Sequence, residues 1–120
     1  MSASPEALEL IEAAAKAAED VKADNLVAFD VSERLPLADV FFLASGNSER
    51  QVTAIAERID EDLSKAGHPA VRREGVREGR WALLDFNNII VHVMHHEDRV
   101  YYELERLWKD CPAVKLGDET

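Results

Sequence analysis

Three histidines fall close together, His92, His95 and His96. Clustered imidazoles bind zinc or pass protons. His92 and His95, three apart in a strand, point to opposite faces, and no cysteine assists, so no metal site is expected. Nucleotidyl transfer through two metal ions needs two or three carboxylates on adjacent strand positions. Asp85 is followed at the alternate position by Asn87, which is neutral and falls in a turn. Gly46-Asn47-Ser48 opens a helical stretch as a phosphate-binding loop would, but one glycine before a capped helix is mostly just a cap. Cys111 has no partner as a nucleophile and sits near the tail. A nucleotidyltransferase-like enzyme, or a nucleotide-binding module, is therefore the weaker of two readings, and no cofactor is expected.

Several of these residues sit in one stretch, Arg80 to Trp108, which reads as strand, two-residue turn, strand, helix. Asn87-Asn88 separates two apolar runs. Asn tolerates positive φ, which a type I′ turn needs at both central positions. A two-residue loop sets the register: Phe86 faces Ile89, Asp85 faces Ile90, Leu84 faces Val91, Leu83 faces His92, Ala82 faces Val93, and Trp81 faces Met94. Paired residues share a face. One face is thus Phe86, Ile89, Leu84, Val91, Ala82 and Val93, wholly apolar and a core face. The other is Trp81, Met94, Leu83, His92, Asp85 and Ile90, and binding is expected there.

The residues of that second face admit two readings each. Asp85 and His92 lie diagonally within reach; they form a buried pair satisfying each other, or the polar rim of a binding patch. Trp81 is a plug under the preceding loop or an interface anchor, since aromatics dominate binding hot spots. Tyr102 falls on the polar side of the helix, flanked by Glu103 and Glu105, which are a solvated face or a match for a basic partner.

The elements that must position these residues follow from the rest of the chain. At 120 residues it makes one domain, expected over 1–112, with 113–120 a loosely held tail. The net charge of −10, from 24 acidic against 14 basic residues, disfavours a grip on a phosphate backbone and suits a basic protein. One cysteine and no apolar leader fit a reducing, cytosolic location. Ser4-Pro5-Glu6 starts a helix, with Leu8, Ile11, Ala15 and Ala18 at helical spacing. Asn25–Val31 and Asp39–Ser45 are strands. Ser48 and Gln51 fit a capping box for a second helix buried through Val52, Ile55, Ala56, Ile59 and Leu63, and Gly67 ends it. A short strand near Ala70–Arg73 and an exposed link, Glu74–Gly79, lead to the hairpin. Helix three opens at Glu97-Asp98 and buries Val100, Tyr101, Leu104, Leu107 and Trp108. The order α-β-β-α-β-β-β-α predicts an α/β fold with a mixed, mostly antiparallel five-stranded sheet, three main helices and one crossover.

The hairpin and helix resemble the signature of the Iojap family, the bacterial ribosomal silencing factors (RsfS). The pattern falls on Trp81, Asp85, Val91-His92-Val93, Arg99, Tyr102, Leu104-Glu105 and Leu107-Trp108. Asp39-Val40-Phe41-Phe42, the Ser45-Gly46-Asn47-Ser48-Arg50 turn and Gly75 agree, so the likeness runs from about Pro5 to Trp108. The family commonly carries Gly-Asp where this chain has Asn87-Asn88. The resemblance implies a nucleotidyltransferase-like topology without catalysis. It implies binding to large-subunit ribosomal protein fourteen, on the face the small subunit docks against, so that joining is blocked and translation falls. The contact residues expected are Trp81, Leu83, Asp85, His92, Met94, Arg99, Tyr102, Glu103 and Glu105. Direct nucleic-acid dependence and membrane contact are not expected. Because helix three alone is available to cover the second face, the free chain is expected to form a homodimer through what it leaves open.

Overall fold

Ser4 starts the first helix, α1 (Pro5–Asp20), by accepting the Ala7 N–H at 3.1 Å on its hydroxyl, with Pro5 in the first turn where no N–H is needed. The computed structural model describes residues 3–34, 38–102, 106, 108 and 110–116. Alanine dominates the buried side of α1: Ala7, Ala14, Ala15, Ala17 and Ala18 join Leu10 and Ile11. Small side chains let α1 lie close against α2 (Glu49–Lys65), which buries Val52, Ile55, Ala56, Ile59 and Leu63 as expected. Val52, Ile55, Ile59 and Leu63 are each worth about 2 kcal/mol of transfer free energy. Leu8, expected inside, is exposed because the buried arc is carried by Ala7, Leu10 and Ile11 instead.

The capping box at α2 is half formed. Ser48 Oγ accepts the Gln51 N–H at 3.1 Å, but Gln51 Oε1 takes the Asn47 N–H at 2.7 Å. The Gln51 amide then donates to the carbonyls of Val21 and Lys22, tying the end of α1 to the head of α2.

Five strands follow the predicted mixed pattern: β1 (Asp24–Asp30), β2 (Val40–Gly46), β3 (Arg72–Glu74), β4 (Trp81–Asp85) and β5 (Ile89–His95). Their order across the sheet is β1-β2-β5-β4-β3. Only β2 and β5 run parallel, and α2 is in the crossover between them. The hairpin register is the one its two-residue loop demands, from Trp81↔Met94 to Asp85↔Ile90. The turn itself differs. Asn87 has φ 74°, but Asn88 is not in the positive-φ region, so this is not a type I′ turn. Asn88 is held otherwise: its carbonyl accepts the Asp39 N–H at 2.8 Å and its amide donates to Glu6 at 2.7 Å.

The apolar face closes under α1 and α2, with Val40, Phe42, Ala44, Ala82, Leu84, Ile89, Val91 and Val93 buried on it. The Glu74–Gly79 link is less exposed than expected, since Val76 O accepts the Thr53 hydroxyl at 2.6 Å and Gly79 is buried. Gly75 has φ 71°, and a Cβ there would strike the Trp81 carbonyl, so the link lies directly on the main chain of β4. The end of the described chain is paired with β1. Val114 N–H donates to Ala28 O at 2.9 Å, Pro112 O accepts from Asp30 N–H at 2.8 Å, and Leu116 is buried. This segment lines the outer side of β1. No helix among the described residues is long and apolar enough to cross a membrane.

Candidate functional site

On the face opposite α1 and α2, neighbouring strands bring four rings into a row. His92 pairs with Leu83 on β4 and with Leu43 on β2, which places Trp81 and Phe41 on opposite diagonals of the imidazole. The ring centroids of Trp81 and His92 are 6.1 Å apart, and those of His92 and Phe41 are 5.2 Å apart. Trp108, past the end of α3 (His96–Tyr102), meets Phe41 edge-on at 4.9 Å. Trp81, Phe41 and Trp108 are each half-buried, and so are Leu83 and Ile90 beside them. The row therefore offers a strip of aromatic and aliphatic surface on a rigid sheet, a composition suited to protein contacts.

His92 is the inner member of the row. Trp81 Nε1–H donates to His92 Nδ1 at 3.1 Å. A nitrogen that accepts carries no proton, so the neutral ring keeps its proton on Nε2. That Nε2 is buried without a hydrogen-bond partner among the described residues. Burial pushes the His92 pKa down to about 4, because the charged ring would be taken out of water with nothing to compensate it. At neutral pH the ring is an uncharged acceptor for Trp81.

The Asp85–His92 pair does not form. Asp85 Oδ1 accepts the Asn87 N–H at 2.9 Å and closes the turn, leaving the imidazole to Trp81. Two other expected contact residues lie inside the protein: Met94 is fully buried and Arg99 is 6% exposed. Arg99 Nη1 donates to Ser45 Oγ at 2.8 Å and to the Asn25 carbonyl, at the place where the β1–β2 register shifts. An arginine midway along α3 thus reaches across to hold β1 and β2. Of Tyr102 only the backbone is described, as the last residue of α3. Glu103 and Glu105 lie outside the described residues.

Arg80 secures the same helix from its open end. Its guanidinium spans Asp98 with contacts of 2.8 and 3.1 Å and reaches Glu97 at 3.4 Å. The acids beside it favour the charged form, and they also suit the positive end of the helix. His95 Nδ1 accepts the Glu97 N–H at 3.2 Å and serves as a cap, with His96 stacked on it. The two imidazoles with clear side-chain roles, His92 and His95, are thus assigned to opposite faces of β5. Among the described residues no group of His, Cys, Asp and Glu is placed to hold a metal ion. Sequence reasoning missed Phe41, Ser45 and Arg80. The first two lie in the strand read over Asp39–Ser45, and only the parallel register with β5 singles them out.

Residues 4–120 match the family model described as "Ribosomal silencing factor during starvation". Ribosomal silencing factor RsfS of Halalkalibacterium halodurans is 41% identical over 108 residues, covering 90% of this chain and 92% of its own. The Bacillus subtilis protein of the same name is 38% identical over 107 residues, covering 89% and 91%. The crystal structure of a Chromobacterium violaceum protein aligns with a TM-score of 0.82 at 35% identity, over 91% of this chain and 92% of that one. On this likeness in sequence and in fold, the chain belongs to the ribosomal silencing factor family.

Proposed function

We propose that this protein is a non-enzymatic translational repressor. It binds the large ribosomal subunit through large-subunit ribosomal protein fourteen and prevents the small subunit from joining. Silencing is supported by the family. The observation that carries the binding half is the row Trp81–His92–Phe41–Trp108, an accessible aromatic strip on the sheet face that α1 and α2 leave uncovered. A net charge of −10 supports a protein partner over naked RNA. The repressor acts in the cytosol, where subunits join. When no ribosome is present, two copies pair through the same strip, since a half-exposed apolar surface favours a self-complementary contact.

Sedimentation with isolated large subunits tests the reading. The protein should pellet with large subunits and not with small ones, and should slow subunit joining followed by light scattering. Equal binding to naked ribosomal RNA and to large subunits would overturn it.

A further inference from the structure

His92 is a costly residue to bury. Its Nε2–H has no partner among the described residues, and a leucine of similar size would fill the space without a polar atom. What leucine cannot do is accept the indole N–H of Trp81, which His92 Nδ1 receives at 3.1 Å. The main chain of Trp81 is already fixed, by the pairing with β5 and by the close approach of Gly75. Only its side-chain torsions remain to be set. The far side of the imidazole leans on Phe41, which is braced in turn by Trp108, so His92 is itself held in place. A surface tryptophan that loses such a bond spreads over several rotamers, and a partner must then order it on binding.

We infer that His92 is the positioning residue of the Trp81 contact: its Nδ1 holds the half-exposed indole in the one orientation that meets the partner protein. The inference rests on the reading of this face as a docking surface. It assigns the imidazole a task that neither packing nor proton transfer explains.

The test uses the isotope-labelled full chain as wild type, His92→Leu and His92→Asn, with the Trp81 indole N–H resonance identified by Trp81→Phe. Each variant is also sedimented with large subunits. In His92→Leu the indole proton should move upfield and exchange at least about tenfold faster, and affinity should fall about tenfold. Asn places its Oδ1 where Nδ1 stood, so His92→Asn should recover both readouts relative to His92→Leu. An unchanged indole resonance in His92→Leu overturns the inference. So does undiminished affinity beside a shifted resonance. If His92→Leu does not fold, His92→Phe keeps a ring in the row without an acceptor and must show the same two losses. A wild-type protein that fails to sediment defeats the docking reading itself, an outcome distinct from either of these.

Discussion

The indole of Trp81 and the imidazole of His92 share a single hydrogen bond across the β4–β5 pair, and it reverses the partnership suggested by charge. An acid beside a histidine would have stabilised the imidazolium. A neutral donor leaves the ring neutral, and burial does the rest.

That arrangement makes stability depend on pH in a defined direction. His92 titrates near its ordinary 6.5 in the unfolded chain and at about 4 in the folded one. Between these values the unfolded state binds the extra proton, so stability is complete above pH 6.5 and is lost as pH falls toward 4. From pH 7.5 to 5.5 this one group should remove about 1 kcal/mol. Urea unfolding of wild type and His92→Asn at the two pH values gives the difference, because the other titrating groups are common to both. Parallel losses in the two proteins would show that His92 is not responsible.

Trp81→Ala should separate binding from folding. Trp81 is half-buried at the start of β4, so the variant should keep its secondary structure and cooperative unfolding. Its affinity for large subunits should drop by about 2 kcal/mol or more, the scale of an aromatic anchor. Circular dichroism and sedimentation read the two effects. A variant that unfolds would return Trp81 to the role of a plug beneath the Gly75 link.

Arg99→Ala should behave in the opposite way. Removing the guanidinium strands the buried Ser45 Oγ and releases the Asn25 carbonyl near the surface. Leaving the buried hydroxyl unpaired costs about 1–3 kcal/mol, seen as a lower midpoint in chemical denaturation. Arg99→Lys should recover little, since a lysine has a point charge on a differently shaped head. A full rescue by lysine would mean that charge alone, and not reach, secures α3.

How much of this was legible beforehand depended on whether a local rule had one solution. Ser4 and Ser48 could cap only what followed them, and a two-residue loop between Phe86 and Ile89 admitted one register. The partner of His92 was not legible, because Trp81 and Asp85 stand on equivalent diagonals and the pattern cannot rank them. Asp85 was claimed by the turn, whose backbone conformation the Asn-Asn pair did not specify. Arg99 was misplaced for a different reason. An arginine reads as surface unless its acceptors are known, and Asn25 and Ser45 are far from it in sequence. The same distance hid the pairing of residues 113–116 with β1.

The proposed self-pairing of the free protein through the aromatic strip predicts competition with subunit binding. A dimer locked by crosslinking should lose large-subunit binding, and dissociation should weaken the apparent affinity of the unlocked protein as its concentration rises. Undiminished binding by the locked dimer would place the two contacts on separate surfaces. A protein that stays monomeric at high concentration in analytical ultracentrifugation would remove the dimer altogether.

The parallel contact of β2 with β5 has a consequence for how the chain folds. These are the central strands, and they meet only after α2, β3 and β4 have been threaded between them. The β4–β5 hairpin closes locally, on a timescale of about microseconds, whereas joining β2 to β5 requires a long loop to close first. His92 therefore has Trp81 beside it early and Phe41 late. On a ribosome still releasing the chain, β5 is the last strand to emerge and α3 with Trp108 follows it, so the proposed docking face is among the last parts to be completed.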